Sequence, residues 1–166
     1  MALLRRLFDL SEVALAAICV VMLAVMVALG IATVFFRFVL ESSLAFPEEL
    51  IRYLFVWMIF LGAAIALRRG AHAAIGVFVS HLPRPFQYAA LYLAAAVSAG
   101  FFMVLFVKGI ALSRRVVPQI SPALEVSMAW VYAAVPVGAA FMLLYTLESF
   151  LKQRRMTVAE LERAGS

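Results

Sequence analysis

The stretch Val13–Phe36 reads VALAAICVVMLAVMVALGIATVFF, a run of 24 residues between Glu12 and Arg37 without an Asp, Glu, Lys or Arg. As an α-helix rising 1.5 Å per residue it is about 36 Å long. That crosses a hydrocarbon layer of about 30 Å with some tilt. The rest of the chain extends the same reading. Of 166 residues, 67% are apolar and 14% charged, and the mean hydropathy is +1.08. A soluble domain averages about 45–50% apolar and about 25% charged. No water-soluble core of this size hides so much apolar surface, so lipid is the solvent for most of the chain.

Three more runs follow. Pro85–Val107 lies between Arg84 and Lys108, Val126–Leu147 between Glu125 and Glu148, and Tyr53–Leu67 between Arg52 and Arg68. The last is only about 22 Å long as a helix. It crosses if the helix begins near Phe46 and ends near Gly70, with Arg52 and Arg68 reaching toward the headgroups. The reading is an all-α integral membrane protein, a single four-helix membrane domain over residues 1–166 with spans at about 13–36, 46–70, 85–107 and 126–147. The first run far exceeds a signal-peptide core of about 7–15 residues, so an uncleaved span is expected.

Two accessory helices are predicted. Leu4, Leu7 and Phe8 share one side of the amino end, with Arg5, Asp9 and Glu12 on the other, which predicts a short amphipathic helix along the interface. Between spans two and three, Ile75, Phe78, Val79 and Leu82 repeat at helical spacing opposite Arg69, His72, Gly76 and Ser80, and Pro83 stops the run. This predicts an interfacial helix over Arg69–Leu82. Pro118 and Pro122 predict an irregular segment from Lys108 to Glu125.

The net charge of +5 follows membrane orientation and not nucleic-acid binding. The amino end, middle loop and tail hold nine Lys or Arg, and the two remaining loops hold five. Both termini are therefore expected on the cytoplasmic side of the membrane, with the spans in contact with lipid and with no nucleic-acid partner.

The chemistry is defined by what the spans omit. None of these runs contains an ionisable acid or base, whereas ion coupling, proton relay and polar-solute binding keep such groups at membrane depth. Their polar inventory is Thr33, Ser98, Ser127, Thr146 and a few tyrosines, whose hydroxyls can bond carbonyls of their own helix. The single Cys19 excludes an internal disulfide and a thiolate metal site. His72 and His81, nine residues apart in the loop, fall on opposite helix sides, and no span supplies a histidine to haem. No nucleophile–base pair or phosphate loop is present, so neither a cofactor, a metal nor an enzymatic activity is expected.

The strongest local constellation is Phe46-Pro47-Glu48-Glu49-Leu50-Ile51-Arg52-Tyr53. Pro47 suits the first helical position, and two carboxylates complement the positive helix end. Glu48 stands four residues before Arg52 and Glu49 three before it, so either can pair with the guanidinium. The cluster reads either as a helix start and membrane anchor or as a contact between subunits near the outer surface. Trp57, deeper in the helix, reads as an aromatic-belt residue before a packing knob. Small residues at close spacing (Ala28-Ile31-Ala32, Gly62 and Ala66, Ala96 and Gly100, Ala134 and Gly138) mark possible close helix approaches.

From the second span onward the pattern resembles a known family. The residues are Glu48-Glu49-Leu50-Ile51-Arg52-Tyr53-Leu54-Phe55-Val56-Trp57, Phe60-Leu61-Gly62-Ala63-Ala64 and Arg68-Arg69-Gly70-Ala71-His72, then Ser121-Pro122-Ala123-Leu124, Ala129-Trp130-Val131-Tyr132 and Val135-Pro136-Val137-Gly138. Together they resemble the DctQ-like small membrane subunit of tripartite ATP-independent periplasmic (TRAP) transporters. Two departures stand out. An aromatic-polar segment with Trp often precedes the acidic pair in this family, where this chain has Ala45-Phe46-Pro47. An Arg and an Asp often follow the position of His72, where Ala73 to Gly76 are uncharged.

The resemblance implies a four-helix accessory subunit of a secondary, ion-gradient-driven uptake system. Its partners would be a large multi-span subunit that carries solute and sodium and a soluble periplasmic solute-binding protein. It also implies partner-binding roles for Glu48, Glu49, Arg52, Trp57, Arg68, Arg69 and His72. The competing reading is a self-contained small carrier or a four-helix structural protein; a carrier of that type calls for an acid inside a span.

Overall fold

A computed structural model describes the backbone of residues 2–42, 45–79 and 84–164, with side chains over 6–42, 45–70, 86, 89–90 and 92–150. The chain folds as α1 (Ala2–Val39), α2 (Phe46–Val79), α3 (Arg84–Arg115), the single turn α4 (Ala129–Tyr132) and α5 (Ala134–Ala164). Four stretches are long and apolar enough to cross a membrane: Arg6–Val39, Phe46–Gly70, Tyr92–Arg115 and Ala129–Phe150. The protein is an all-α membrane protein. The break between α4 and α5 has a local cause. Pro136 offers no N–H to the carbonyl of Tyr132 four residues earlier, and its ring crowds that oxygen.

The spans stand in a row and not in a square. α1 packs on α2, α2 on α5 and α5 on α3, whereas α2 and α3, consecutive in the chain, barely touch. The enclosed core is built from Leu15 of α1, Leu61, Ala64 and Ile65 of α2, and Met142 and Tyr145 of α5. Phe8, Trp57, Phe60, Phe102 and Phe141 pack around it. The outer helix α1 turns Val20, Leu23, Val27, Ile31, Val34 and Phe38 outward, as a lipid-facing helix does.

Two glycines set the spacing of the row. A Cβ added at Gly138 would lie 2.7 Å from the Cβ of Phe60 and 3.0 Å from its carbonyl oxygen, so α5 and α2 meet almost backbone to backbone. At Gly109 a Cβ would lie 2.9 Å from Cδ of Pro136, which brings α3 equally close to α5. Gly62 and Gly100 have open space around them. Of the small-residue pairs picked out in spans two to four, Ala134 and Gly138 thus form the tight contact. Gly109, just beyond the expected end of span three, escaped that search.

Several predicted boundaries move. The amphipathic amino-terminal stretch is the opening of α1 itself, because no Gly or Pro interrupts the chain between Ala2 and Val13. The helix predicted over Arg69–Leu82 is the continuation of α2, unbroken through Gly70 as far as Val79; its side chains from residue 71 onward and residues 80–83 lie outside the described residues. α3 runs past Lys108 to Arg115, and helix resumes at Ala129, so the irregular segment is shorter than Lys108–Glu125 at its start and longer at its end. A charged residue limits how deep a helix can sit in lipid, but it does not end the helix.

Candidate functional site

Along α2, Glu49 and Arg68 are 19 residues apart, about 28 Å of helix. That is close to the thickness of a hydrocarbon layer, about 30 Å. Each residue is the centre of a polar cluster, one at either end of the row.

At the first end, Arg68 joins three helices. Its Nη2 lies 2.6 Å from Oδ1 of Asp9, and its Nη1 pairs with Glu12, both on α1. Its Nε and Nη2 donate to the two carboxylate oxygens of Glu148 on α5, at 2.9 and 3.1 Å, in the parallel two-bond geometry that suits a guanidinium. Arg69 binds the second oxygen of Glu12. The Arg68 guanidinium carbon stands 5.4 Å from the ring centroid of Tyr145, whose hydroxyl is 3.1 Å from Oγ of Ser11. Only 12% of the Arg68 side chain is exposed. A lone guanidinium there would be costly; with three carboxylates around it the charge is tolerated and cross-links the row. The cluster lines a cavity of ≈ 250 Å³ that is bounded also by Ser149.

At the opposite end, Glu49 is 9% exposed and pairs with no cation among the described residues. One oxygen accepts the hydroxyl of Tyr53; the other accepts the backbone N–H of Ala123 at 2.8 Å and of Leu124 at 3.0 Å. Successive N–H groups in a turn form a cradle for a negative charge, and the carboxylate fills it. The cradle belongs to a small hairpin. Ser121 donates to the carbonyl of Val126 at 2.9 Å, Met128 to that of Gln119 at 2.8 Å, and Ile120 bridges Ser127. Ser127 Oγ donates to the carbonyl of Val117, and Glu125 takes a left-handed φ of 53° to close the bend.

The predicted pairing of Arg52 with Glu48 or Glu49 does not form among the described residues. Glu49 is taken by three donors that the fold holds in place, which outcompete an exposed side-chain pair of small net value. Glu48 and Arg52 stay exposed beside a cleft of ≈ 330 Å³ that Tyr53, Pro122, Ala123 and Met128 also line. Trp57 has the contacts of a packing residue. Its Nε1 donates to the carbonyl of Trp130 at 3.1 Å, and its ring packs on the core. Trp130, 72% exposed, points outward instead. Arg68 turns inward to its carboxylates and not to the headgroups. His72 lies on α2, but its side chain is outside the described residues, as is His81.

Sequence reasoning missed Asp9, Glu12, Tyr145 and Glu148. The signal was present: with four spans, the start of α1, the end of span two and the end of span four share a side, and each carries an ionisable group. Three of the hydroxyls within the helices bond carbonyls of their own helix. Thr33 donates to Leu29, Ser113 to Gly109 and Thr146 to Met142, at 2.8, 2.9 and 2.8 Å. The arrangement holds helices and a hairpin in register.

Comparison with known proteins agrees with this architecture. A family model described as "Tripartite ATP-independent periplasmic transporters, DctQ component" matches residues 26–156. A Haemophilus influenzae protein assigned as a TRAP transporter small permease is 37% identical over 54% of this chain and 55% of its own length. The sialic acid TRAP transporter small permease protein SiaQ of Vibrio cholerae is 31% identical over 72% of this chain and 69% of its own length. The C4-dicarboxylate TRAP transporter small permease protein DctQ of Rhodobacter capsulatus is 33% identical over 60% of this chain and 45% of its own length. The chain thus spans about half the length of two of these three relatives. With a family match that runs from within the first span through Glu49 and Arg68 into α5, the chain belongs to the DctQ component family of tripartite ATP-independent periplasmic transporters.

Proposed function

We propose that this chain is the accessory small membrane subunit of a secondary, ion-gradient-driven solute-uptake transporter. It enlarges the fixed scaffold around a large multi-span subunit, and a soluble periplasmic solute-binding protein delivers the cargo. The observation that carries the reading is where the charges fall. In the described spans the ionisable groups gather toward the two ends, those of the Arg68 cluster are engaged within the chain, and the hydroxyls of Thr33 and Thr146 bond their own helices. Lys108, seven residues from the end of α3 and exposed, can reach the headgroup layer along its flexible stem. Nothing of this kind builds an ion pathway. Sodium coupling therefore belongs to the large subunit, and this chain holds no cofactor and catalyses no reaction.

The names of the relatives support a role apart from solute choice, since small permeases for sialic acid and for C4-dicarboxylates both resemble this chain. The bias of Lys and Arg supports an inner-membrane orientation with both termini in the cytoplasm, which places the Glu49 end outside. Of the residues assigned to partner contact, Glu48 and Arg52 offer open charge, and His72 extends the contact to the cytoplasmic side. Glu49, Trp57, Arg68 and Arg69 serve it by fixing the helices.

The test is reconstitution. Alone in proteoliposomes the chain moves no organic acid under a sodium gradient; with the large subunit and the soluble receptor, uptake appears. Uptake by the chain alone would return it to the class of self-contained carriers. A periplasm-dependent reporter fused to the carboxyl end should stay silent.

A further inference from the structure

The hairpin between α3 and α4 is built in a way that its role as a connector does not require. Its bonds fix its depth. Ala123 and Leu124 bind Glu49 in the first turn of α2, the sulfur of Met128 is 3.2 Å from the Tyr53 hydroxyl one turn further in, and Trp130 receives Trp57. The hairpin therefore lies beside the first turns of α2 and does not stand out from it. That is the level of the lipid headgroups if Glu49 and Arg68, about 28 Å apart, mark the two membrane surfaces.

The inner side of the hairpin is packed, with Val116 6% and Ser121 2% exposed. Seven of its backbone donors find partners: Val116, Gln119, Ser121, Glu125 and Met128 at carbonyls of Leu112, Val116, Val126, Ser121 and Gln119, and Ala123 and Leu124 at Glu49. What remains uncovered is largely apolar: Val117, Ile120 and Val126, with Ile120 at 67%, and the adjoining Trp130 of α4, beside the exposed polar side chains of Gln119 and Glu125. A loop meant for water does not leave four large apolar side chains open. Directly before it, Arg114 and Arg115 end α3 exposed and cationic, matching the phosphates of phospholipid headgroups.

We propose that the Val116–Met128 hairpin is a membrane-surface element, which seats Val117, Ile120, Val126 and Trp130 in the boundary between headgroups and acyl chains, with Arg114 and Arg115 on the phosphates. An aromatic at the rim, apolar residues below and basic residues at phosphate level is the pattern of an interfacial anchor. The internal bonds cover most of the backbone polar groups, and the N–H groups of Val117, Ile120, Val126 and Ser127, which make no bond among the described residues, call for the hydrated headgroup boundary and not the hydrocarbon, which offers no hydrogen bonds. The proposal concerns the chain by itself and stands apart from its assembly with a large subunit.

The experiment uses the full chain in phospholipid nanodiscs. Cys19→Ala removes the native thiol, and Ile120→Cys or, separately, Val117→Cys carries an environment-sensitive fluorophore. Nitroxides on shallow acyl positions should quench both labels, and aqueous iodide should leave them largely unquenched. Efficient iodide quenching with no lipid quenching would overturn the proposal, because the hairpin would then stand in water. Quenching by neither agent would also overturn it, since a protein surface, such as a second copy, would then cover the site. The two positions are read independently, so a variant that fails to fold leaves the other to decide.

Discussion

Arg68 and Glu49 sit on the same helix and answer the same difficulty, a charge at the edge of lipid, in opposite ways. Arg68 is satisfied by side chains, three carboxylates from two neighbouring helices. Glu49 is satisfied by main-chain N–H groups and one phenol, with no opposing charge. The first arrangement ties helices to one another; the second ties a loop to a helix. The difference teaches that the two ends have separable jobs. The Arg68 end holds the row together, and the Glu49 end shapes the surface at its rim.

This division can be broken by substitution. The largest effect belongs to Arg68→Ala, which leaves three carboxylates facing one another. Removing one partner of a buried ion network costs about 3–5 kcal/mol, and the exposure of Asp9 argues for the lower part of that range. Thermal unfolding in detergent should show it, with Arg68→Lys intermediate because the two-bond geometry to Glu148 is lost. An Arg68→Ala protein as stable as the parent would erase the distinction between the ends.

Gly138→Ala tests the backbone contact between them. Forcing a Cβ into the space held by Phe60 costs about 1–3 kcal/mol, and Gly62→Ala, with open space around it, serves as the neutral comparison. Glu49→Gln removes the charge and part of the acceptor capacity at the other end. Weakened bonds from buried donors cost about 1–3 kcal/mol. The sharper readout is hydrogen exchange: amides at 121–126 should speed up while the start of α1 and the middle of α5 stay protected. Uniform acceleration would mean that Glu49 also holds the row. The smallest effect on the isolated chain is that of Arg52→Ala, about 0–1 kcal/mol for an exposed charge. If Arg52 contacts the large subunit, that same variant loses co-purification while it remains folded.

The legible part of this molecule is what lipid dictates. Val13–Phe36 announces a span by length and composition alone, and Pro47 with Glu48 and Glu49 marks the start of a helix at Phe46. The end of α3 was less legible, because Lys108 ends an apolar run without ending a helix. Glu49 was visible as an acid, but its partners were not. Ala123 and Leu124 donate through N–H groups that every non-proline residue possesses, from 74 and 75 positions away. Arg68 was visible as a boundary, and its neighbours were not, since the choice of Asp9, Glu12 and Glu148 depends on which helices stand side by side.

The order of that row has a consequence for how the protein is made. Of these four spans, α5 leaves the ribosome after the others, yet it stands between α2 and α3. Until it arrives, α2 and α3 have little surface to share, and α3 must wait in the bilayer as a separate guest. Insertion of the first three spans therefore leaves an unfinished object, open where Gly138 and Gly109 are to close it. The row is closed by a wedge driven in at the middle rather than a strip added at the edge, and a chain cut short before Ala134 is one that the cell's membrane quality control would meet as two unattached halves.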